Sequence, residues 1–227
     1  PPYDSDPVKR SKQIVKSIKQ EMEDSADILN FVKKYDDFEK GTKEGKLNIV
    51  TGMEGLSQIG EDIDMINYFY DEVGVRHAML TWNELNALAT GWPVDVTRGL
   101  TEAGKKAVKR IQDLGMVMDV SHLNDKCFWG VIDLAQGPII ASHSNARSVC
   151  PAMRNLTDDM LKAIAKTGGL VGMNAGSSLL ACYATGNVTS TGSSTGNVHI
   201  GGFLGDNYTT VTACYWKNNH EQGIGYN

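Results

Sequence analysis

The sequence predicts an α/β protein built on a parallel sheet, followed by an all-β tail of different character. Three observations carry this expectation. Apolar runs starting at Leu47, Val75, Met116, Pro138 and Leu170 alternate with segments of helical periodicity, as strand–helix units require. Two of those runs end in Ser-His, at His122 and His143, so matching strands deliver matching imidazoles. Beyond Asn174 the charge nearly vanishes: of residues 175–227 only Asp206, Lys217 and Glu221 are charged, while nine are glycine and twelve are serine or threonine. A chain with that change of composition divides into 1–174 and 175–227.

The first 46 residues are rich in balanced charge. Val15, Ile18 and Met22 recur at helical spacing, and Ser25 is placed to cap a second helical segment carrying Ile28, Leu29 and Val32. Leu47 to Glu54, LNIVTGME, has no polar alternation and reads as a strand buried on both faces. It ends in Glu54, a carboxylate that needs a partner if it is buried, and a metal would be one.

Ile63, Ile66, Phe69, Tyr70 and Val73 make one helix face, with Gly74 placed to end it. Val75 to Thr81 is the next strand. His77 lies inside it and reads as structural, whereas Trp82, Asn83 and Glu84 stand where the strand meets its rim loop, Trp82 as a pocket wall. The connection to Leu100 is long, and long rim loops commonly carry function. Thr101 caps a helix ended by Gly115, and Asn124 or Asp125 starts another running to Ala135. Thr157, followed by Asp158 and Asp159, begins a helix closed by Gly168 and Gly169. The five strands fit a (β/α) barrel or an open parallel sheet.

In either fold, ligands and metals sit at the carboxyl ends of the strands, which is where Met116–Val120 places His122 and Pro138–Ala141 places His143. Each histidine follows a serine able to orient it. Two such units in register read as a metal site.

A net charge of −5 gives no case for nucleic acid. No run of about 18 apolar residues is present, so no membrane span is expected. The amino terminus has neither a hydrophobic signal region nor a methionine and reads as the start of a fragment or processed chain, which leaves the compartment open between cytoplasm and cell envelope. No CxxC pair occurs among the four cysteines; Cys127 and Cys150 read as small buried hydrophobes. Cys182 and Cys214 fall in segments repeated 32 residues apart, ACYATGN from Ala181 and ACYWKNN from Ala213, which suggests a stacked β-repeat. The string GGFLGDNYTTVTACYW resembles the GLUG-type repeats of bacterial surface proteins.

The strings GMEG, GVRHAMLTWNE, RGLTEAGKKAVKRIQDLGMVMDVSHLND, PIIASHSNAR and MRNLTDDMLKAIAKTGGLVGMN resemble, in order, the membrane (renal-type) dipeptidases. The resemblance covers about residues 1–174. It implies a TIM-like (β/α) barrel, of which this chain holds about five of eight strands, and a pair of zinc ions that activate water. It implies that Glu54 bridges the zinc ions, that His122 and His143 hold one of them, and that Arg154 grips the substrate carboxylate. Some members place a histidine where Trp82 stands. The family's His-x-Asp pair and its late general acid/base Asp have no counterparts here, so at most one zinc is expected to be well held and no catalytic acid/base is identified.

The resulting expectation is a zinc dipeptidase acting on dipeptides, truncated and weakly active or inactive as this chain, with a homodimer possible because an unclosed barrel exposes strand edges. Two alternatives stand beside it: a non-catalytic bacterial surface repeat protein carrying a relic barrel, and another metal-dependent amide or lactam hydrolase. The free-carboxylate role implied for Arg154 argues against substrates lacking that group.

Overall fold

A computed structural model describes residues 5–148 and 150–169, together with six short strands farther along the chain. The chain folds as two compact units, Pro1–Leu134 and Ala135–Asn227.

In the first unit, helix α1 (Pro7–Asp24) starts at Asp6, whose carboxylate accepts the Lys9 N–H at 2.9 Å, and Pro7 supplies a pre-set φ at the first helical position. Ser25 closes this helix and does not open another. The residues expected to continue as helix instead form strand β1 (Leu29–Phe31), and helix α2 (Tyr35–Lys43) follows. The predicted strand Leu47–Glu54 is two strands: β2 (Leu47–Ile49) pairs in parallel with β1, and β3 (Gly52–Glu54) pairs in parallel with β4 (His77–Met79). Neither is buried on both faces; Leu47 and Glu54 are exposed. The reason is local. Asn30 and Asn48 face each other in the β1–β2 register, and Asn30 Nδ2 donates to Asn48 Oδ1 at 2.6 Å and to the Asp37 carbonyl at 2.7 Å. That polar clasp ties Leu47–Ile49 to β1 and α2, so the chain changes partner at Val50 and Thr51.

Helix α3 (Met65–Glu72) precedes β4, and helix α4 (Glu102–Asp113) precedes β5 (Val117–Asp119), which pairs in parallel with β4. The predicted caps form: Thr101 Oγ1 accepts the Gly104 N–H at 2.9 Å, and Asn124 Oδ1 accepts the Cys127 N–H at 2.7 Å to start helix α5 (Asp125–Asp133). Core packing follows the helical stripes: Ile66 on α3, Ala107, Val108 and Ile111 on α4, and Phe128 and Val131 on α5 are all buried, as are Ala78, Leu80 and Met118. The register aligns Glu54 with Met79 and Met79 with Asp119, so three parallel strands reach their carboxyl ends in one row.

In the second unit, strand β6 (Ile139–Ile140) and helix α6 (Asp158–Lys166) form where expected, and Thr157 caps the helix by accepting the Met160 N–H. Thr167 Oγ1 accepts the Ile139 N–H at 3.0 Å. A side chain at Gly169 would collide with the Ile139 carbonyl, which explains the glycine pair after this helix. The strand expected at Leu170–Asn174 lies outside the described residues, as do Cys182 and Cys214 and most of the predicted repeat. Of the repeat, β7 (Leu179–Leu180), β8 (Tyr183–Ala184), β9 (Leu204–Asp206), β10 (Val211–Thr212), β11 (Tyr215–Trp216) and β12 (Ile224–Tyr226) are described. β10 pairs in parallel with β7 and β11 with β8; in both ladders, the residues in register are 32 positions apart, the spacing of the sequence repeat. Stacked turns of a β-repeat have this arrangement.

Candidate metal centre

His122 lies three residues past the end of β5 and is the only described non-glycine residue with a positive φ, 71°. A left-handed conformation costs a β-carbon-bearing residue about 1–2 kcal/mol, so the surroundings must hold it in place. They do so on both the ring and the backbone. The Trp92 N–H donates to the His122 carbonyl at 2.8 Å, and Gly91 and Leu123 form an antiparallel bridge. His122 Nδ1 lies 2.8 Å from Asn83 Oδ1. Its other nitrogen, Nε2, lies 3.0 Å from Glu54 Oε1. The His122 side chain is 8% exposed while that of Glu54 is 51% exposed, so the pair forms a rim whose carboxylate faces outward.

The electrostatics of this pair decide what it can hold. An amide oxygen only accepts, so Nδ1 carries the proton and donates to Asn83, leaving a lone pair on Nε2 of the neutral ring. That lone pair points at a carboxylate, which also offers only lone pairs when ionised. Two acceptors 3.0 Å apart need something between them: a proton, on the ring or on the carboxyl, or a cation that both can ligate.

Trp82, the predicted pocket wall, lies with its ring centroid 6.3 Å from that of His122 and its side chain partly exposed. Its backbone is fixed from below. The Trp82 N–H donates to Glu84 Oε2 at 3.0 Å, and Gly55, with φ 95° directly after Glu54, passes so close to Trp82 that a β-carbon there would sit 3.2 Å from the Trp82 nitrogen. Glu84 is buried, and burial raises its pKa above the usual carboxylate range, opposed by hydrogen bonds from Asn86 and from the Trp82 N–H. Burial also pushes up the Cys127 thiol. Cys127 is the small buried residue expected, but Cys150 is exposed: it sits in a loop where its N–H is satisfied by the Ala146 carbonyl and no packed element covers it.

His77 proves to be the first residue of β4 and not an interior one, and it stands apart from the Glu54–His122 pair as a structural histidine. Its Nε2 lies 2.6 Å from Oδ2 of Asp119, which is fully buried and whose Oδ1 accepts the Ser121 N–H at 2.8 Å. Asp119 and Asn83 are the residues that sequence reasoning left without a role. The faint signal for Asp119 was its place in a fixed string, Asp-Val-Ser-His; Asn83 had none beyond following the rim tryptophan.

In the second unit, His143 follows β6 as expected, and Ser142 Oγ lies 2.7 Å from its Nδ1. Arg154 Nη2 donates to the His143 carbonyl at 3.0 Å. Thus Glu54, His122 and Trp82 gather in one unit, and His143 and Arg154 in the other.

Comparison with known proteins identifies the family. The family model described as membrane dipeptidase (peptidase family M19) matches residues 2–212. An uncharacterized protein of the PQQ-III 3′ region of Acinetobacter calcoaceticus is 44% identical over 58% of this chain and 43% of its own length. Mouse dipeptidase 3 is 34% identical over 63% of this chain and 30% of its own. A solved metallopeptidase from Rhodobacter sphaeroides, liganded with a phosphinate mimic of the dipeptide L-Ala-D-Ala, superposes with a TM-score of 0.59 at 33% identity, covering 63% of this chain and 42% of that one. This chain therefore spans less than half the length of each of these three proteins.

Proposed function

Because the chain belongs to the membrane dipeptidase family, peptidase family M19, we propose that it is a zinc-dependent hydrolase site for dipeptides, with Glu54, His122 and His143 as metal ligands. The observation that carries the proposal is the Glu54–His122 contact. Two ligands each about 2.0–2.1 Å from a tetrahedral zinc stand roughly 3.3 Å apart, and Nε2 and Oε1 lie 3.0 Å apart. Imidazole plus carboxylate is a donor set that zinc accepts readily. A zinc ion there supplies Lewis acidity and a water activated near neutral pH.

The remaining chemistry belongs to the chain's own side chains. Glu54 contributes negative charge at an open rim. His122 binds as the neutral ring, with Asn83 holding its proton on the far nitrogen. His143 offers a second imidazole, with Ser142 on its Nδ1. Arg154 commits one N–H to the His143 carbonyl, and the rest of its planar fork suits the free carboxylate of a dipeptide. Trp82 walls the site beside His122. Glu54, His122 and His143 make one ligand set, for which about one zinc per chain is the expected content. A second reading, a surface repeat protein with a relic barrel, draws support from the parallel strand pairs spaced at the sequence repeat.

Binding of a phosphinate dipeptide mimic to the zinc-loaded chain, measured by calorimetry, tests the substrate assignment even when turnover is slow. The free-acid mimic is expected to bind at least tenfold tighter than its carboxyl-terminal amide, and Arg154→Ala to erase that preference. Equal binding of acid and amide, or binding of neither, contradicts it.

A further inference from the structure

Resting on the metal reading above, we infer that Asn83 is a positioning residue for the centre: its side-chain oxygen selects the His122 tautomer that presents Nε2 to a divalent cation. A neutral histidine left to itself exchanges its proton between the two nitrogens, and only the Nδ1–H form has its lone pair on the side facing Glu54. The contact of 2.8 Å between Nδ1 and Asn83 Oδ1 removes that freedom. An amide does so without adding a charge beside Glu54, which an aspartate would.

Asn83 can act this way because the loop that carries it also grips the His122 backbone. Glu84, the next residue, is anchored by Asn86 Nδ2 at 3.1 Å, and its carbonyl accepts the Gly91 N–H at 2.8 Å. Trp92 then bonds the His122 carbonyl, and the Asn124 N–H returns to the Thr90 carbonyl at 3.1 Å. Arg98 ties the same loop to itself through the carbonyls of Asn86 and Ala89 and through Thr90 Oγ1. Ring and backbone of His122 are therefore referenced to one hydrogen-bonded block. This explains why a connection of this length is retained between β4 and α4: it is the mould for a histidine held in a left-handed turn.

The test is zinc affinity of the full chain by competition with a chromophoric chelator, for wild type, Asn83→Ala and Asn83→Asp, with thermal melts to establish folding. Outer partners of metal-bound histidines typically change affinity by about 10–100-fold, so Asn83→Ala is expected to weaken zinc binding by that factor and Asn83→Asp, which keeps the acceptor, to restore it. Zinc binding by wild type with equal affinity in Asn83→Ala overturns the role of Asn83 alone. Failure of wild type to bind zinc overturns the metal reading and this inference with it. A second measurement needs no variant: two-bond proton–nitrogen NMR of the zinc-loaded wild type is expected to show the His122 proton on Nδ1, and a proton on Nε2 with metal on Nδ1 overturns the inference.

Discussion

Among the described residues of the first unit, Asp119 is the one carboxylate that is wholly buried, and its two oxygens have separate duties, Oδ2 toward His77 and Oδ1 toward the Ser121 N–H. Removing it leaves His77 and the Ser121 amide unsatisfied at the root of the turn that carries His122. Leaving buried polar groups without their hydrogen-bond partner costs about 1–3 kcal/mol; Asp119→Ala is expected to lose stability of that order in a denaturant melt, and Asp119→Asn, which keeps one acceptor, to lose less. Equal losses would mean that the pair adds nothing beyond packing. Gly91 is a second single-residue constraint. A β-carbon there would strike the Trp82 carbonyl oxygen, so Gly91→Ala is expected to lower the melting temperature by several degrees, as overpacking of about 1–3 kcal/mol implies. Gly91 left no signal in the sequence and Asp119 only its place in Asp-Val-Ser-His, since a buried partner across strands and a close backbone approach leave no periodic trace.

The elements with chemical end-signals are the ones the sequence made legible. Helices α4, α5 and α6 begin at the predicted Thr101, Asn124 and Thr157, because capping is a local bond between a side chain and its own third neighbour. Thr101 also donates to the Ala87 carbonyl at 2.7 Å, so Thr101→Ala is expected to cost about 1–2 kcal/mol in a melt and Thr101→Ser distinctly less. The segments misread, Leu29–Phe31 and Leu47–Glu54, are three-residue strands too short to show a period, and their fate is set by Asn30 and Asn48 meeting across eighteen positions of chain. The loop after β4 carries a pH signature. Burial raises the pKa of Glu84, so the folded state holds its proton to higher pH than the unfolded chain does, and this contribution to stability is present below the unfolded carboxylate value and is lost as pH rises through the folded one. The stability difference between Glu84→Gln and wild type is therefore expected to shift in favour of the variant from pH 4 to pH 7. A difference independent of pH would show that folding leaves the pKa of Glu84 unchanged, contrary to this expectation.

At the scale of the whole molecule, the α/β architecture with parallel strands follows from alternating apolar runs and helical stripes, and the family model and solved relatives agree with it. What the sequence left open was the support of the site. Residue type and strand position made His122 and Glu54 the expected ligands, whereas the left-handed turn, the Asn83 contact and the Trp92 bond depend on a loop folding back over the strand ends. Among the described residues no helix is long and apolar enough to cross a membrane. The second unit carries His143, Arg154 and the paired strands spaced 32 residues apart. The central proposal, zinc binding with Glu54, His122 and His143 as ligands, is tested most directly by elemental analysis of the purified protein beside a His122→Ala/His143→Ala double variant. About one zinc per chain, lost in the variant, is the predicted result; no zinc in the wild type, or zinc retained undiminished by the variant, would contradict it.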